Sequence, residues 1–96
     1  MGSSRDDYIR TLKARLDELN TEIDRIENKV GEVTAEVKAR CEAQLEEAKA
    51  RRDELQDKVA ELRRSGDAAW DDLKKGADQA RKALGDAVQA AKKHFD

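Results

Sequence analysis

Apolar residues recur along the first two thirds of the chain in alternating steps of three and four: Ile9, Leu12, Leu16, Leu19, Ile23, Ile26, Val30, Val33 and Val37. Charged and polar residues fill almost every position between them. This is a heptad seam, one narrow apolar stripe along an α-helix. The seam continues through Cys41, Leu45, Ala48, Arg52, Leu55, Val59 and Leu62. From Val33 to Leu45 it takes three consecutive steps of four, so one residue is added near the middle, which locally unwinds a left-handed supercoil. Gly31 is the only glycine between Gly2 and Gly66. A single Gly softens a helix by about 1 kcal/mol relative to Ala without ending it. The pattern therefore predicts one continuous helix over residues 5–64.

The break falls at Arg64-Ser65-Gly66-Asp67. Gly66 is suited to end a helix in the left-handed conformation and Asp67 to cap the next. Ser3 or Ser4 supplies the cap of the first helix, with Asp6 and Asp7 in its first turn. A second helix is predicted over residues 68–94, with apolar positions Trp70, Leu73, Ala77, Ala80, Leu84, Ala87, Val88, Ala91 and Phe95. Leu73, Leu84 and Phe95 lie eleven apart, a period that gives almost no left-handed supercoil. Its many alanines permit close approach to a neighbour.

A short link makes consecutive helices antiparallel neighbours. Folding the second helix back places Leu62 with Trp70, Val59 with Leu73, Leu55 with Ala77, Arg52 with Ala80, Ala48 with Leu84, Leu45 with Ala87, Cys41 with Ala91 and Val37 with Phe95. The stripe from Ile9 to Val33 is still uncovered, and it is too long to leave wet. An antiparallel second copy covers it, pairing Ile9 with Leu62, Leu12 with Val59, Leu16 with Leu55, Leu19 with Arg52, Ile23 with Ala48, Ile26 with Leu45 and Val30 with Cys41. The same contacts form within one chain if the long helix folds over near Thr34–Glu36. That segment holds no residue with strong turn preference, so the swapped dimer is the expected form. A parallel dimer would stack Arg52 on Arg52 and set Glu22 against Glu27.

The fold class expected is all-α: a single coiled-coil domain over residues 1–96. It comprises a long helix, a turn at 65–67 and a shorter antiparallel helix, assembled as an antiparallel homodimer with a three-helix bundle at each end.

Composition agrees with a coiled coil: 96 residues, 44% charged, 3% aromatic, no Pro. Twenty basic and 22 acidic residues are interspersed, so no basic stripe exists for nucleic acid. No stretch reaches the roughly 20 apolar residues needed to span a bilayer. Met1-Gly2-Ser3-Ser4 does not read as an export leader, which makes the cytoplasm the expected location. The single Cys41 cannot form an internal disulfide; it reads as a small core residue, with a thiol switch as the alternative.

Little catalytic chemistry is encoded. The only histidine, His94, has no Glu three residues before it, so the bundle carboxylate metal motif is missing. His94 reads as a basic residue near a helix C-terminus. Glu32, Glu36, Glu42, Glu46 and Glu47 read as a solvated face, and no nucleophile has a base at usable spacing. No cofactor is expected. Arg52 reads as a seam residue whose head snorkels beside acids such as Glu18 of the mate. Trp70 reads as a plug at the tip of the hairpin. In the second helix, Lys74, Lys75, Arg81, Lys82, Lys92 and Lys93 flank the apolar face as in lipid-surface helices. Asp71, Asp72, Asp78 and Asp86 nearly balance them, which favours packing in a bundle.

The segment Tyr8-Ile9-Arg10-Thr11-Leu12-Lys13-Ala14-Arg15-Leu16-Asp17-Glu18-Leu19-Asn20-Thr21-Glu22-Ile23-Asp24 resembles the opening of a family of small bacterial coiled-coil stress-response proteins. Gly66-Asp67-Ala68-Ala69-Trp70-Asp71-Asp72-Leu73-Lys74-Lys75-Gly76, with Phe95 near the end, is similar to that family's closing block. Lys49-Ala50-Arg51-Arg52-Asp53-Glu54 also looks like the family, whereas Cys41 departs from the polar or aromatic residue expected there. The resemblance implies a bacterial, cytoplasmic, stress-linked protein and brings no catalytic residue with it. The function expected is a non-enzymatic assembly protein that works by contacts with itself and with a protein client. A peripheral membrane-surface helix protein and a metal-binding bundle enzyme are the alternatives.

Overall fold

The computed structural model describes residues 4–95. Three helices form an up-down-up bundle, with α1 over Ser4–Lys29, α2 over Ala35–Arg64 and α3 over Asp67–Lys92. Single 3₁₀ turns follow α1 at Val30–Glu32 and α3 at Lys93–Phe95. The bundle measures 50 × 23 × 17 Å.

The helix expected over residues 5–64 is therefore two helices. Only Val33 and Thr34 leave helical geometry for extended backbone, at φ −110°, ψ 168° and φ −63°, ψ 159°. Thr34 caps α2: its Oγ1 accepts the Val37 N–H at 3.3 Å, and its carbonyl accepts the Lys38 N–H at 2.8 Å. Such a cap contributes about 1 kcal/mol. The β-branched residues Val30, Val33, Thr34 and Val37, together with Gly31, make this the stretch where helix propensity is weakest. The turn needs no left-handed residue, since no described residue has positive φ.

The second link also differs in detail from expectation. Gly66 is extended, at φ −86° and ψ 177°, and occupies the N-cap position of α3, while Asp67 is its first helical residue. Ser65 ends α2 instead: both its N–H and its Oγ–H donate to the Leu62 carbonyl. Of the two serines expected to cap the first helix, Ser3 lies outside the described residues and Ser4 is already helical.

The core is the two seams closed on each other. Leu12, Leu16, Leu19, Ile23, Ile26 and Val30 from the first third meet Cys41, Leu45, Ala48, Leu55, Val59 and Leu62 from α2 and Ala77, Ala80, Leu84, Val88 and Ala91 from α3. Ile9, Trp70, Leu73, Ala87 and Phe95 pack half-buried at its margins. The contact between α2 and α3 is the most extensive in the bundle, and α1 contacts each of them less. The cause is side-chain size. Small residues line the α2–α3 contact, and α1 brings Leu and Ile to fill the groove between them. Val33 and Val37 are the exceptions. Both were expected in the seam, yet they are half-exposed and outside the core, because the turn carries them past the end of the bundle.

Candidate interaction surface

The seat of α1 on the α2–α3 groove is the most specific surface in the molecule, because polar side chains fix its register from end to end. At the N-terminal end, Arg5 Nη2 pairs with Asp67 Oδ1 at 2.6 Å. The Arg5 guanidinium also lies 4.8 Å from the Trp70 ring centroid. Tyr8 meets Trp70 edge to face at 5.8 Å, and Lys74 Nζ lies 5.0 Å over the Tyr8 ring. The Tyr8 hydroxyl donates to Asp78 and also lies within reach of the Lys74 carbonyl at 3.3 Å. Midway, Arg52 Nη1 donates to Asn20 Oδ1 at 3.1 Å. Towards the turn, Lys49 Nζ pairs with Glu27 Oε1 at 2.6 Å, and Lys92 Nζ lies 3.9 Å from Glu22 Oε2.

Individually these contacts are weak, since exposed ion pairs contribute about 0–1 kcal/mol each. Their joint effect is selection of register, because a shift of one heptad separates every pair. Arg52, its side chain 24% exposed, stands in the seam as expected and snorkels outward. Within the chain its partners are Asn20 and Asp53; Glu18 pairs with Arg15. The Glu27 carboxylate holds the Lys49 ammonium above its ordinary pKa, chiefly through their hydrogen bond.

Arg5, Tyr8, Asn20 and Gln44 were not expected as contacts between the helices. All four flank the seam, where a single-sequence pattern gives no partner for a polar residue. The one usable signal was Tyr8, the only tyrosine, placed one turn before Leu12. His94 donates from Nε2 to Gln44 Oε1 at 2.6 Å, tying the end of the chain to α2. Glu32, Glu36, Glu42, Glu46 and Glu47 are all exposed. Among the described residues no group of three His, Cys, Asp or Glu is placed to hold a metal ion. None of the described helices is long and apolar enough to cross a membrane. The apolar face of α3 that suggested a lipid surface is turned into the bundle, with Ala77, Leu84, Val88 and Ala91 buried.

Cys41 is fully buried. Burial first, and the neighbouring Glu42 charge second, push its thiol pKa up, away from the thiolate that redox chemistry needs. Tyr8 shifts upward too, through burial first and then through its hydrogen bond to Asp78 and that carboxylate's charge. A phenol pKa raised by folding means that the fold favours the protonated form. Its contribution is fully present below pH about 10, the unfolded value, and is lost as pH rises through the folded value. Stability to urea is therefore expected to fall above pH about 10 in the natural chain and to fall less in Tyr8→Phe. Tyr8 is the only tyrosine, so its absorbance titration reports on it alone. An ordinary midpoint in the folded protein would contradict this assignment.

No protein-family model, curated protein or solved structure matches this chain.

Proposed function

We propose that the chain is a non-enzymatic helical-bundle assembly protein that works through protein–protein contacts, with a second copy of itself as its first partner. The dimer is antiparallel, with a three-helix bundle at each end. The observation that carries this reading is the unsatisfied part of the seam. The apolar stripe runs at helical spacing straight through the turn, yet Val33 and Val37 remain half-exposed beyond the core. Extending α1 and α2 into one helix brings these valines from two chains together. Every contact of α1 is then remade with the mate.

The resemblance of the opening and closing blocks to small bacterial coiled-coil stress-response proteins supplies the setting: bacterial, cytoplasmic and stress-linked, acting on a protein client. Sedimentation equilibrium across the micromolar range tests the self-contact. The expected outcome is a shift from the 10.8 kDa chain towards twice that mass as concentration rises. A single chain mass at every concentration would remove the second copy as partner.

A further inference from the structure

The turn between α1 and α2 has the features of a hinge. Only two residues, Val33 and Thr34, are extended, and both have negative φ, so chiefly a rotation of ψ carries them to the helix. Nothing lies within 4 Å of where a Cβ on Gly31 would sit, so the glycine is not required by the closed form. Its effect is to weaken a straight helix through this point. Thr34 acts in the same direction, because its side chain caps the separate α2 at 3.3 Å from the Val37 nitrogen. Closed and straight forms thus differ by one cap, one soft residue and two partly buried valines.

We propose that Val30–Thr34 is a conformational switch that sets the oligomeric state. When it straightens, α1 leaves its own α2–α3 groove and the groove receives α1 of a second copy. The occupant follows from polar and charge complementarity. The groove presents Asp67 to Arg5, Arg52 to Asn20 and Lys49 to Glu27, and only a helix carrying those residues in that order satisfies all three. Val33 and Val37 of the two chains then close a new apolar layer at the two-fold axis. This inference rests on the dimer proposed above and adds what controls it.

Two variants move the switch in opposite directions. Ala35 is the first residue of α2, where the N–H has no helical partner and proline is favoured. Thr34, at φ −63° and ψ 159°, already has the backbone that a following proline demands. Ala35→Pro therefore suits the closed form, and in a straight helix it removes a hydrogen bond and clashes with the preceding turn. The pair Gly31→Ala and Thr34→Ala does the reverse. Sedimentation equilibrium of the full chain is expected to find Ala35→Pro monomeric with unchanged helix content. The double variant is expected to dimerise with a dissociation constant lower by roughly tenfold or more.

The two readings fail differently. If the natural chain and the double variant are both monomers throughout, the dimer itself falls and the switch with it. If the natural chain dimerises and Ala35→Pro dimerises equally well, the dimer stands and the switch is overturned. Should Ala35→Pro not fold, the double variant decides alone, and an unchanged dissociation constant overturns the switch.

Discussion

Ile23→Asp is expected to abolish the cooperative unfolding transition of the protein at neutral pH. Ile23 sits in the C-terminal third of α1, 0% exposed, and is among the largest side chains fully enclosed in the core. A carboxylate there has no cation or donor to meet it, and an unpaired buried charge costs several kcal/mol. Domains of this kind are stable by only about 5–15 kcal/mol in total. The loss therefore removes most of the native population or detaches α1 from its groove. Low pH should restore part of the structure, because burial raises the pKa of the new carboxyl and protonation neutralises it. Ile9→Asp, at a half-buried position, should be much milder. Urea unfolding followed by circular dichroism at neutral and acid pH measures all three. An unchanged transition in Ile23→Asp would mean that α1 is a free arm. It would contradict the closed bundle and the swapped dimer alike, since both bury this residue in the same layer.

Leu84→Ala is expected to lower the melting temperature by roughly 10–30 °C, from a stability loss of about 2–5 kcal/mol. Leu84 is 0% exposed and lies in the C-terminal half of α3. Its removal leaves a cavity that the flanking small residues, Ala80 and Ala91 among them, cannot collapse to fill. The size of the effect separates two views of α3. A lipid-surface helix, unpacked in water, would lose within about 0.5 kcal/mol, as exposed substitutions do. A helix whose face is the bundle core loses the full amount. Lys82→Ala, exposed on the same helix, is the matched control.

Much of this architecture is legible in the residues themselves. The positions Leu12 to Ile26, Leu45 to Leu62 and Ala77 to Ala91 carry helical periodicity strong enough to place nearly every core residue. The pairing expected with a second copy, which brings Leu19 level with Arg52, is met within one chain, as the fold-over alternative has it, by the Arg52–Asn20 bond. The register was readable because the apolar positions of the three segments recur at matching helical spacings. The turn at Val30–Thr34 was not. Its signals were a lone glycine, a threonine able to cap and a cluster of β-branched residues, each compatible with a continuing helix. The three steps of four from Val33 to Leu45 marked the place, but an added residue in a seam reads equally as unwinding or as a turn. The choice depends on a few kcal/mol between a cap and a continued helix, which local pattern does not resolve. The polar keys were hidden for another reason: Arg5, Tyr8 and Glu27 acquire meaning only from partners on other helices.

The most direct test of α1 as an arm that one chain or its mate can seat is small-angle X-ray scattering over a concentration series. The closed chain is 50 Å long. A helix running unbroken from the start of α1 to the end of α2 spans about 90 Å at 1.5 Å per residue. At low concentration the expected particle has the mass of one chain and the shorter length. As concentration rises, a species of twice the mass and the longer length is expected to replace it, without intermediates of other length. A doubled mass at the closed length would mean that whole bundles dock side by side. That result would contradict the exchange of α1.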